Sequence, residues 1–134
     1  HSQPMKASGA ISKPTPRGRE RAAHELAAIV DSELFRALCE PARIEIVKLL
    51  TARGRSDVQT IAAQVPQDRS VISRHLAVLH RAGVGRREKI GRQVFFELDG
   101  MSVVTRMERM IAQFRSIIPL CCPSRMMRDE RRRR

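Results

Sequence analysis

The sequence predicts a mainly α-helical domain that carries one small β-hairpin. Two patterns support this. Apolar residues recur at three- and four-residue spacing through residues 20–82 and again through 101–118. Between those blocks the pattern changes to two short extended runs, 84–90 and 92–98, on either side of Gly91. Size agrees: 134 residues at 42% hydrophobic content suffice for one domain with its own core, flanked by tails.

Residues 1–19 hold Pro4, Gly9, Pro14, Pro16 and Gly18 without a helical period, and read as a flexible basic arm. The folded domain is expected over 20–120. A Cys-Cys-Pro segment and an Arg-rich tail occupy 121–134. Residues 20–30 form the first helix, with Ala22, Ala23, Leu26, Ala27, Ile29 and Val30 at helical spacing. Residues 32–39 make a short helix with Leu34, Phe35 and Leu38 inward. Pro41 suits the first turn of the next helix, whose apolar positions are Ile44, Ile46, Val47, Leu49 and Leu50 and which ends at Gly54.

Residues 57–64 form another short helix around Val58, Ile61 and Ala62, interrupted by Pro66. Asp68 is placed to cap the helix that follows, which stops at Gly83. Two short helices joined by a tight turn make a helix-turn-helix. In the second of them Ile72, Leu76 and Leu79 share one face, while Ser70, Ser73, Arg74, Ala77 and Arg81 share another. Short polar groups, arginine and one small residue are what a helix reading the major groove requires. The hairpin follows directly and carries Arg86, Arg87, Lys89 and Arg92, which makes it a wing. Phe95 and Phe96 point to its opposite faces. The last helix spaces Val103, Val104, Met107, Met110, Ile111, Phe114, Ile117 and Ile118 close to a heptad seam, the pattern of a dimer interface.

Charge supports the same reading. The chain has 26 basic and 14 acidic residues, a formal charge of +12. Residues 69–92 alone hold seven basic residues against Glu88, the footprint of a nucleic-acid binder. Arg69, Ser70, Ser73 and Arg74 are expected to approach base edges or phosphates. His75 is set either to touch a phosphate or to brace the turn. Arg86, Arg87, Lys89 and Arg92 are expected to hold the wing on double-stranded DNA. With four Phe and no Trp or Tyr, the aromatic platform of a single-strand RNA reader is missing. No phosphate loop, triad or acid–base pair suggests an enzyme. A winged-helix module that binds protein rather than an operator is the competing class.

The longest apolar run, 26–30, is too short for a membrane span, and no apolar stretch follows the basic N-terminus as in a signal peptide. Three Cys, two of them adjacent, fit a reducing cytoplasm better than a disulfide framework.

The stretch Leu34-Phe35-Arg36-Ala37-Leu38-Cys39-Glu40-Pro41-Ala42-Arg43, continued by 44–50, resembles the opening of the ArsR/SmtB winged-helix repressors. So does Val71-Ile72-Ser73-Arg74-His75-Leu76-Ala77-Val78-Leu79-His80-Arg81-Ala82-Gly83-Val84, and the run 86–98 is similar to that family's wing. The resemblance covers roughly residues 30–100. It implies a homodimer built on the first and last helices, operator binding near a promoter, and release when an effector binds. Two-fold pairing of the reading helices would in turn match a palindromic operator. Two departures stand out. The helix before the reading helix, Arg55-Ser56-Asp57-Val58-Gln59-Thr60-Ile61, lacks the Cys-x-Cys pair of many relatives. The last helix lacks the His that others use for zinc.

The thiols that remain are Cys39, Cys121 and Cys122. Adjacent cysteines before Pro123 could turn both sulfurs to one soft ion, with Cys39 as third ligand from the same or the partner chain. Three thiolates suit arsenite or antimonite as effector, and no obligatory cofactor is expected. Two other readings stay open. Cys39 could pair with a C-terminal thiol in a redox or persulfide switch. Alternatively Cys39 is a small buried residue and the pair has no role.

Overall fold

The structure is a computed structural model that describes residues 15–121, Arg128 and residues 130–134. It divides into two units. One spans 30–109. The other joins the residues before Val30 to those from Met110 onward.

In the 30–109 unit, α2 (Ser32–Leu38) starts where Asp31 Oδ1 accepts the Leu34 amide at 3.0 Å. Leu34 and Ala37, one turn apart, are buried, but Phe35 is 50% exposed rather than inward. One residue along a helix is about a 100° rotation, and a seven-residue helix has one inward face. Helix α3 (Pro41–Arg53) begins on proline and ends at Gly54, whose φ of 74° takes the chain out of the helix. It buries Ile46 and Leu50, while Ile44 is exposed. Strand β1 (Ser56–Asp57) is too short to show in any periodicity. It pairs antiparallel with the wing, Ser56 opposite Phe96 and Asp57 opposite Phe95.

Helix α4 (Val58–Gln64) is capped by Asp57, whose Oδ1 accepts the Thr60 amide at 2.8 Å. Helix α5 (Arg69–Arg81) follows. Asp68 stands at its N-cap as expected, but its side chain makes no capping bond. Ile72, Leu76 and Leu79 are at most 1% exposed. Such burial contributes about 1.5–3 kcal/mol per side chain. Together with Leu34, Ile46, Ile61 and Val84 they form the core of this unit, which places the other face of α5 on the surface.

Strands β2 (Gly85–Ile90) and β3 (Gln93–Leu98) pair with Ile90 opposite Gln93, and the sheet order is β1-β3-β2. Gly91 has φ 60° at the first position of the two-residue turn, which only glycine enters without strain. Asp99 Oδ1 accepts the Ser102 amide at 3.2 Å and opens α6 (Gly100–Cys121). This helix is longer than the periodicity predicts and passes through Pro119.

In the other unit, α1 (Pro16–Ile29) begins four residues earlier than expected. Thr15 Oγ1 accepts the Gly18 amide at 3.0 Å, so Thr15 caps a helix that has proline in its first turn. Residues 16–19 are therefore helical and not part of an arm. The rest of the expected arm lies outside the described residues.

Candidate nucleic-acid interface

Helix α5 presents Arg69, Ser70, Ser73, Arg74, Ala77 and Arg81 on its exposed side. A cleft of about 460 Å³ runs between this helix and the hairpin. Arg69, Arg81, Arg87 and Arg92 line it, with Gln59 from α4 and Gln93 from β3, over an apolar floor of Leu76, Val94 and Phe96. The acidic group in that lining is Asp57, already engaged by the Thr60 amide and by Gln93 Nε2 at 3.4 Å. Bonds from Thr60 hold the Asp57 carboxyl below the usual carboxylate range. The cleft is therefore a trough lined mainly by positive charge.

Strand alternation sorts the basic residues of the wing. Arg87 and Lys89 lie opposite Phe96 and Val94, so they share the cleft face. Arg86 falls on the other face, where it pairs with Glu97 at 3.3 Å. There Glu88 pairs with Arg55 at 3.1 Å, and the Arg55 guanidinium lies 4.8 Å from the Phe95 ring centre. The structure thus places Arg86 on one face of the wing and Arg87 and Lys89 on the other. The three are close in sequence, but a period of two separates them.

His75 faces Arg43. Its Nδ1 accepts from Arg43 Nη1 at 3.2 Å, so the ring is neutral with its proton on Nε2. Arg43 also donates to the carbonyls of Ala37 at 2.7 Å and Arg36 at 2.8 Å, tying α3 to the end of α2 and to α5. Burial first, and then Arg43, hold the His75 pKa below the ordinary imidazole range. His80 Nδ1 donates to the Gly85 carbonyl at 3.3 Å, joining α5 to β2. Sequence reasoning missed Gln59, Gln93 and Arg43. Their places depend on how α4, β3 and α3 pack, and nothing in their own spacing marks them.

Of the three thiols, Cys39 caps the end of α2, exposed and not buried, with Sγ donating to the Arg36 carbonyl at 3.1 Å. Cys121 ends α6 and is exposed. Cys122 lies outside the described residues. Among the described residues no three His, Cys, Asp or Glu side chains group closely enough for a metal, and no helix is long and apolar enough to cross a membrane.

This architecture can be set beside known proteins. A family model described as bacterial regulatory protein, arsR family, matches residues 40–84, from just before α3 to just past α5. An uncharacterized HTH-type transcriptional regulator of Methanocaldococcus jannaschii is 34% identical over 65 residues, 48% of this chain and 73% of that protein. The chain belongs to the ArsR/SmtB family. An uncharacterized HTH-type transcriptional regulator of Mycobacterium tuberculosis is 36% identical to this ArsR-family chain over 67 residues, 50% of it and 59% of the relative. The chain thus spans about three fifths of the first curated relative it matches. A solved possible transcriptional regulator for arsenical resistance is 33% identical, with a TM-score of 0.50 over 72% of this chain and 95% of that one. A second solved ArsR family regulator, 22% identical with a TM-score of 0.56 over 70% of this chain and 91% of its own, shares the fold. The ArsR-family winged helix-turn-helix assigned from α4, α5 and the hairpin is therefore the observed fold.

Proposed function

We propose that this chain is a homodimeric transcriptional repressor that binds a palindromic operator and leaves it when a thiophilic effector binds. The observation that carries the DNA-binding part is the arginine-lined cleft between the exposed face of α5 and the wing. Helix α5 enters the major groove, with Arg69, Ser70, Ser73 and Arg74 toward base edges and flanking phosphates. Arg87, Lys89 and Arg92 then lie along the backbone. One such helix buries too little for tight, specific binding. Two-fold pairing sets two of them about one turn, ~34 Å, apart. The surface for that pairing is on α6, where Val104, Met107, Ile111, Phe114 and Ile118 are exposed at alternating three- and four-residue spacing.

The effector is arsenite or antimonite, held by Cys121 and Cys122 with Cys39 of the same or the partner chain as third thiolate. Soft trivalent centres take sulfur ligands. Support comes from the exposure of Cys39 and Cys121 and from the 33% identical possible regulator for arsenical resistance.

The test is fluorescence anisotropy on the duplex that the reduced chain selects from a random pool, over a series of salt concentrations. A steep salt dependence with preference for one palindrome is expected; no preference would favour the protein-binding module. Arsenite or antimonite should then release the complex. The Cys121→Ser/Cys122→Ser chain should still bind DNA and stay bound with arsenite present. Release from that variant would overturn the thiol site, and release by oxidant alone would shift the cysteines to a redox switch.

A further inference from the structure

We infer that Arg106 is a positioning residue for DNA recognition, the link through which helix α6 sets the junction between the reading helix and the wing. This rests on the DNA-binding reading above, and concerns how that face is held rather than what it touches.

Arg106 lies in the first part of α6, with its side chain only 24% exposed. Its Nε donates to Asp31 Oδ2 at 2.6 Å, and Nη2 pairs with the same oxygen. Its Nη1 donates to the Ala82 carbonyl. Asp31 is itself fixed, because its other oxygen caps α2 through the Leu34 amide. Ala82 is the C-cap of α5, followed by Gly83 and then by the first residues of the wing. The Val84 amide donates to Leu79 at 3.0 Å, and the Asp99 amide donates to Val84 at 2.8 Å. One guanidinium therefore fastens the start of α6 to the start of α2 and to the hinge from which both DNA-contacting elements leave.

The hinge is built to receive it. Gly83 has φ 74°, and a Cβ there would lie 2.5 Å from Arg106 Nη1. The turn carries no side chain where the guanidinium rests. A cation is also favoured here, because the end of α5 presents the carbonyl-rich, negative pole of that helix. The rigid fork of arginine bonds both partners at once, which a lysine ammonium cannot do from one position. A displacement of α6 that breaks the fork thus frees α2 and the α5–β2 hinge together. Pairing or ligand binding on α6 would reach the DNA face by this route. Such coupling typically spans about 5–150-fold in affinity.

The experiment compares the full chain with Arg106→Gln and Arg106→Lys. Each is titrated onto the duplex that the wild type selects and onto an unrelated duplex, with melting temperature and light-scattering mass recorded alongside. Arg106→Gln should lose roughly tenfold in affinity for the selected duplex, with less than about a twofold change on the unrelated one. Arg106→Lys keeps the charge and one bond, so it should recover most of the melting temperature without recovering the preference. A purely structural role predicts the opposite, that preference returns with stability. Undiminished preference in Arg106→Gln, or full preference in a stable Arg106→Lys, would overturn the inference and leave the DNA-binding reading intact. A wild-type chain that selects no duplex would overturn both.

Discussion

Arg86 and Arg87 are adjacent in sequence and opposite in setting. Arg87 lines the cleft beside α5, whereas Arg86 is turned to the outer face and paired with Glu97. Arg87→Ala should therefore weaken DNA binding and lower the slope of log affinity against log salt by about one. Arg86→Ala should leave that slope nearly unchanged, and anisotropy over a salt series distinguishes the two. His75 makes a second prediction at this scale. The folded protein holds it neutral, with its pKa lowered by burial and by Arg43. As pH falls through about 6.5, the unfolded chain takes up the proton while folded His75 does not. Stability is thus fully present above that pH and declines toward the folded pKa. His75→Asn should flatten this decline, read as urea midpoints at about pH 8 and about pH 5.5.

At the scale of elements, the helix-to-strand junction at 82–84 is tightly constrained. Gly83 adopts a left-handed conformation, and the Arg106 guanidinium lies against it. Gly83→Ala meets both obstacles, a strained φ and a blocked approach. A loss of about 1–3 kcal/mol is expected, measured as a lowered melting temperature. Gly91→Ala is the informative control. Its φ is also positive, at 60°, but nothing lies within 4 Å of the added carbon. Its cost should be the backbone part alone. Helix α6 shows a different division of labour. Met110 is buried, while Ile111 and Phe114 are 51% and 48% exposed. The seam read as one apolar face is in fact two stripes, one sheltered and the other open.

At the scale of the whole molecule, the open stripe makes the oligomer testable. A double change of Ile111→Glu and Phe114→Glu puts like charges on a surface proposed to pair with itself. It should convert a dimer to a monomer in light scattering. Operator affinity should drop by orders of magnitude, while nonspecific binding falls far less, since only the two-fold arrangement engages both half-sites. A dimer that survives the change would place the interface elsewhere. The net charge of +12 acts at this scale too, drawing in polyanions while conferring no sequence preference.

Much of this protein was legible in its sequence, because the strongest signals are local. The order of α2 to α6, the stop at Gly83, the turn at Gly91 and the inward trio Ile72, Leu76 and Leu79 all follow from periodicity and backbone chemistry. The exposed face of α5 follows by subtraction, since a helix that buries one side must show the other. Beyond that, long-range pairing decided. Strand β1 exists only because β3 is there to pair with it. The start of α1 was obscured because proline and glycine near a helix N-terminus look like a loop until Thr15 is seen to cap it. Register on β3 placed Arg87 in the cleft and Arg86 outside it. Packing of α3 on α5 set His75 against Arg43, and packing of α6 on the hinge gave Arg106 its three bonds. Residue type and spacing determine which elements form and which faces they offer. Which side chains meet across 24 to 75 residues of chain is set only when those elements close on one core.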